Sequence, residues 1–155
     1  MKRRVPLGFA LISMFLLAAA SPRGGERRLS REEAAALPVV AAGGGTSGLR
    51  TIETRLLKGN PARAGLYTIS ITVPPNTHIA AHTHRDDRTA TVVTGLWHFG
   101  YGPDAKGGTA RGLPPGSFYT EPAGKAHFAW TGPEGATVYI TGIGPSDTRY
   151  LATPR

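Results

Sequence analysis

His82 and His84 stand two residues apart in the segment Ala81 to Gly95. On a β-strand both rings would leave from one face, about 6.6 Å apart along the chain, close enough to converge on one ion. Taken alone, the pair equally fits two exposed histidines on a strand. His78 shares their parity but would sit about 13 Å up the strand from His82, which excludes it as a co-ligand. A third imidazole, His127, lies in Gly116 to Thr131, after a strand and the turn Pro122-Ala123-Gly124. If both segments line one barrel, three imidazoles meet at its centre, a ligand set suited to one divalent Fe, Mn, Ni, Cu or Zn ion.

The elements that must position these rings are short and β-rich. Leu66 to Val73, Thr89 to Thr94, Ser117 to Glu121 and Thr137 to Thr141 favour strands, and Gly-Asn-Pro at 59–61, Pro-Pro-Asn at 74–76 and Pro-Pro-Gly at 114–116 separate them. The chain has 21 glycines and 13 prolines in 155 residues, about 22% where roughly 12% is average, which favours tight turns over long helices. No long helical periodicity appears after residue 48. The expected fold is a small all-β barrel or sandwich.

Here the chain resembles the cupin superfamily. Of that family's two motifs, the second is met at Gly116, Pro122, Gly124 and His127 with its spacing intact, Thr131 standing where Asn is usual. The first is met at His82, His84 and Gly95. The resemblance covers roughly residues 65–145 and implies an antiparallel jelly-roll barrel with a metal held by His82, His84 and His127 at its mouth.

Arg88 departs from the family pattern, which has glutamate at that position. A guanidinium stays protonated and repels a cation instead of ligating it. Three explanations stay open. Glu121, where cupins usually have an apolar residue, shares a strand face with Tyr119; that face is inferred to point inward, which would make Glu121 a displaced metal ligand or a partner of one. Asp86 or Asp87 could supply the carboxylate, although Asp is common in a hairpin simply as a turn residue. The third is a metal-free barrel filled by Arg88. Trp97, Phe99, Phe128 and Trp130 read as core packing and His98 as a packing or surface residue, whereas the parity of Tyr119 with Glu121 aims its hydroxyl at the site.

The rest of the chain bounds the answer. Its length suits one domain, and the absence of cysteine removes disulfides, thiol nucleophiles and iron–sulfur clusters. Residues 1–20 combine Lys2, Arg3 and Arg4 with an apolar run and Ala18-Ala19-Ala20; they read as a secretory signal peptide and imply export, to the periplasm or outside the cell. The run is shorter than the ~20 residues of a transmembrane helix, so no stable membrane anchor is expected after processing. Residues 21–48 have the composition of a flexible segment, with a short helix signalled by Ser30, Glu33 and Pro38. The cupin domain would then span 49–155. The formal charge of +8 falls to +5 without the leader, and it is scattered, which argues against nucleic-acid binding.

Two functions fit. One is a small-molecule metalloenzyme of oxygenase, isomerase or lyase type, with Glu121 or Tyr119 moving protons and Arg88 clamping a substrate anion. The other is a noncatalytic exported cupin that binds a metal or small ligand for storage or sensing. A solvent-reachable open position would favour the first, and a closed Arg88–Glu121 ion pair the second. The run Gly48 to Leu57 is expected to offer an edge strand for a homodimer.

Overall fold

The computed structural model describes residues 26–103 and 110–151. The expected signal peptide at 1–20 lies outside the described residues. The elements are helix α1 (Arg31–Ala35) and strands β1 (Val39–Val40), β2 (Glu53–Lys58), β3 (Gly65–Val73), β4 (His78–Thr83), β5 (Arg88–Tyr101), β6 (Arg111–Leu113), β7 (Phe118–Glu121), β8 (His127–Gly144) and β9 (Arg149–Tyr150).

Every strand pairing is antiparallel, and β8 is the hub. Along one side, β8 pairs first with β4 and then with β3; along the other it pairs with β5 from Arg88↔Gly142 to Tyr101↔His127. Strand β5 also carries β7 against its first residues and β6 against its last. This is the jelly-roll barrel that the sequence leads one to expect.

Strands β5 and β8 run 14 and 18 residues, longer than the short runs legible in the sequence, because irregularities bend them instead of ending them. In β5 the inward residues are Arg88, Ala90 and Val92, then Trp97 and Phe99. The parity switches from even to odd across two register shifts, Val92/Thr94 and Gly95/Trp97. Gly95 makes the second shift feasible: its φ is 74°, and a Cβ there would lie 2.1 Å from the Gly135 carbonyl oxygen. A similar shift between Ile79 and His82 in β4 lets both face inward while His78 stays outside, its ring 6.0 Å from that of Trp130.

The core follows the period-2 alternation. Tyr67, Ile69, Ile71 and Val73 of β3 face Val138 and Ile140 of β8, all buried. In β7, Tyr119 and Glu121 are buried while Phe118 and Thr120 are exposed, the parity expected from the sequence.

The segment at 26–48 is attached to the barrel. Ser30 caps α1 by accepting from the Glu33 N–H while the Glu33 carboxylate accepts from the Ser30 N–H. Strand β1 pairs with β2, Arg55 donates to the Leu37 carbonyl, and Thr46 is buried. The run 48–57, expected to offer an edge strand, is therefore corrected to an inner position: β1 covers Thr54 and Arg55, and Arg27 donates to the Leu56 and Leu57 carbonyls just beyond.

Candidate metal centre in the barrel

The barrel brings His82, His84 and His127 together, with one ligand nitrogen of each within 4.8 Å of the others. All three rings are buried. Their orientation is fixed by the backbone: His82 Nδ1 donates to the Ala80 carbonyl at 2.7 Å, His84 Nδ1 to Asp147 at 2.5 Å and His127 Nδ1 to Lys125 at 3.0 Å. With each Nδ1 carrying the proton, each Nε2 is left with a lone pair directed at the shared centre.

Burial keeps the rings neutral. It lowers His82 to about 4, assisted by His127, and His84 to about 3, assisted by the Arg88 charge. Burial also lowers His127 from its ordinary value, against the pull of Glu121. Neutral imidazole is the form that binds a metal. The Nε2 of His127 is buried with no hydrogen-bond partner, a cost that a bound cation would remove.

The two motif segments are stapled together at the turn between β7 and β8. Gly124 N–H donates to the His84 carbonyl at 2.8 Å, and Ala123 N–H donates to Asp87 Oδ1 at 2.8 Å. Asp86 accepts from Tyr67 Oη at 2.8 Å and from Ser146 Oγ at 2.5 Å. The carboxylates of Asp86 and Asp87 thus hold the hairpin, and neither joins the histidine group.

Arg88 and Glu121 stand directly opposite each other across the β5–β7 ladder. Arg88 Nε donates to Glu121 Oε2 at 2.6 Å, and Nη2 contacts the same oxygen. Glu121 Oε2 lies 3.7 Å from both His84 Nε2 and His127 Nε2. Burial alone would raise the Glu121 carboxyl, but Arg88, His127 and His84 outweigh it and hold it at about 2. A carboxylate therefore reaches the histidines from the strand next to the one the family pattern uses.

Arg88 was expected to clamp a substrate anion, and the structure gives it other partners. Nη1 donates to the Gly45 carbonyl at 3.2 Å and Nη2 donates to His84 Nε2, so with Nε on Glu121 all three nitrogens are engaged. The donor set fits a divalent transition ion at three imidazoles, on condition that Arg88 leaves the His84 lone pair.

Sequence reading missed residues that line the mouth. Gly45 and Ser47 line the cavity beside His82 and Arg88. Thr148 Oγ1 donates to the Thr46 carbonyl at 2.6 Å, Tyr150 Oη donates to Ser47 at 2.5 Å, and the Tyr150 ring lies 5.3 Å from that of His82. Gly43-Gly44-Gly45 reads as linker, yet Gly45 is held in a tight approach where a Cβ would lie 2.6 Å from Pro61 Cβ. The remaining cavity is about 30 Å³. Tyr119 lines it as its parity indicated, and its hydroxyl is pushed well up by burial and by the Glu121 charge.

No protein-family model and no curated protein matches the chain by sequence. Solved structures do match its fold. The polyketide cyclase RemF from Streptomyces resistomycificus aligns with a TM-score of 0.65 at 19% identity, over 84% of this chain and 89% of that one. An RmlC-like cupin from Shewanella frigidimarina gives 0.56 at 19% identity over 77% and 91%, and KdgF from a Halomonas species gives 0.50 at 18% over 62% and 83%. With its jelly-roll barrel and inward-facing histidine triad, this chain has the cupin fold.

Proposed function

We infer that this chain is an exported metal-binding cupin that holds one divalent transition metal at His82, His84 and His127, with Glu121 as fourth ligand or as a charge partner beside it. The observation that carries this reading is the set of three buried imidazoles, each with Nδ1–H tied to a backbone carbonyl and Nε2 turned to a common point. Fe, Mn, Ni, Cu and Zn all accept such a set. Once bound, the metal would supply a Lewis-acidic centre for an oxygen-bearing small molecule.

Between holding and transforming that molecule, the buried Arg88–Glu121 pair favours holding, as in storage or sensing. A second reading, a small-molecule metalloenzyme, is supported by the unpartnered His127 Nε2 and by Tyr119 and Glu121 lining the same cavity. In that reading Tyr119 and Glu121 are the groups able to hold or move a proton.

Elemental analysis of the purified protein tests the shared core of both readings. About one transition metal per chain, lost in His82→Ala, is expected. No metal in the parent after equilibration with zinc, nickel, manganese or iron would remove both. Glu121→Ala leaves Arg88 as an unpaired buried charge, so the role of Glu121 is read instead in the double variant Arg88→Leu, Glu121→Leu. If Glu121 is a ligand, the double variant binds metal more weakly than Arg88→Leu alone.

A further inference from the structure

The outer face of the sheet carries a groove on the opposite side of β5 and β8 from the histidines. Its floor is made by Ser70 and Thr72 of β3, Thr94 of β5, and Thr137 and Tyr139 of β8. The ladder brings them together: Thr72 and Thr94 flank Thr137, and Ser70 and Thr91 flank Tyr139. Neighbouring strands lie about 4.8 Å apart, so these hydroxyls converge. A solvated protein surface ordinarily mixes in charged residues of both signs. Here no outward residue is charged from Thr68 to Thr72, Thr89 to Thr94 or Thr137 to Thr141, and all but Val93 bear a hydroxyl. Helix α1 forms the wall through Arg31, Glu32 and Ala35. That wall is held in place, because Ala34 is buried, the Ser30–Glu33 capping box fixes the first turn, and Arg27 donates to the Leu56 and Leu57 carbonyls. Arg31 and Glu32 pair with each other at 3.3 Å with both side chains exposed, which adds donors and acceptors and no net charge.

We propose that this groove binds a neutral pyranose sugar, free or as one unit of a glycan chain. A hydroxyl both donates and accepts, so a cluster of them complements a ligand whose polar groups do the same, and it offers an ion no counter-charge. The Tyr139 ring adds an apolar surface for the C–H face of the sugar. The volume of about 270 Å³ lies just below the roughly 300 Å³ at which drug-sized pockets begin, and it suits one sugar ring. A chain could continue along the same row of the sheet. Thr91 stands between Tyr139 and Phe118, which sets a second aromatic ring about 10 Å from the first, and Phe118 is 62% exposed. The inward residues of these strands, Val92, Val138 and Ile140, belong to the core. The groove and the histidines therefore occupy opposite faces, and the proposal stands apart from the metal reading.

Glucose, galactose, mannose, maltose and cellobiose are titrated into nitrogen-labelled protein and read by amide chemical shifts, with glucuronate as the charged counterpart. The expected result is saturable binding of at least one neutral sugar, with about millimolar affinity for a single unit. The shifts should centre on Thr72, Thr94, Thr137 and Tyr139. Thr137→Val and Tyr139→Phe keep the side-chain shape and remove one hydroxyl, and each should weaken binding roughly two- to tenfold at an unchanged midpoint of thermal unfolding. His82→Ala should bind the sugar as the parent does, so that loss of the groove and loss of the metal site are read separately. Phe118→Ser distinguishes the two sources: weakening of the disaccharides alone sustains the groove with a chain as its ligand, and no change in either class sustains it with a single unit. The proposal is overturned if no neutral sugar shifts these amides at millimolar concentration, if glucuronate binds more tightly than glucose, or if both hydroxyl deletions leave binding unchanged.

Discussion

The two sides of the barrel cavity treat buried polarity in opposite ways. On the histidine side, Arg88, Glu121, Asp86 and the three imidazoles are bound into a network in which the Nε2 of His127 is left without a partner. On the Trp97 side the walls are aliphatic and aromatic, with Trp97 and Tyr119 buried among Ile71, Ile79, Phe99 and Ile140. Charged and hydrogen-bonded groups fix the geometry of the first side, whereas packing shapes the second. The contrast separates the part of the site whose donor set fits an ion from the part that shapes the space beside it.

Removing the anchor of the polar side should have the largest effect. Glu121→Ala leaves the guanidinium of Arg88 buried and unpaired, and a loss of about 3–5 kcal/mol is expected in denaturant unfolding. The double variant Arg88→Leu, Glu121→Leu should recover most of it, since an apolar pair of similar volume is often neutral. A double variant as unstable as Glu121→Ala would show that the pair does more than neutralise itself.

Acid comes next. The folded pKa values of His82 and His84, about 4 and about 3, lie below the ordinary 6.5 that holds when the chain is unfolded. The unfolded chain thus binds more protons between these limits, so stability is complete above pH 6.5 and declines as pH falls toward 3. A midpoint of thermal unfolding that stays flat from pH 7 to pH 5 would contradict the buried neutral triad.

Arg88→Gln should sharpen the comparison by freeing His84 Nε2 and removing a fixed positive charge from the ion's path. Zinc affinity is expected to rise at least about tenfold, scaled from Coulomb repulsion at an intermediate dielectric. An unchanged affinity would place the metal away from Arg88. The smallest effect belongs to the apolar side: Tyr119→Phe keeps the buried ring and removes one hydroxyl, and should change folding stability by about 1 kcal/mol or less in denaturant unfolding.

Much of this was legible in the residues. Strand alternation and Pro/Gly punctuation pointed to the all-β barrel, and the spacing of His82, His84 and His127 pointed to a triad. The inward parity of Tyr119 and Glu121 followed from period 2 alone. Other features depended on tertiary register. Nothing local marks Gly95 as a bulge within one long strand instead of its end, and the parity switch between Val92 and Trp97 follows from it. The mouth was hidden for a similar reason: Gly43-Gly44-Gly45 has a linker's composition, and only the approach of Ser146 to Gly44 and of Pro61 and Ser146 to Gly45 shows that these two are packed. The partners of Arg88 likewise come from 43 and 33 residues away in sequence.

The most direct test is zinc binding followed by titration calorimetry on the parent, His82→Ala and His127→Ala, at neutral pH. The account predicts one site per chain in the parent and its loss in both variants. Absence of binding in the parent, or binding that survives both substitutions, would contradict it.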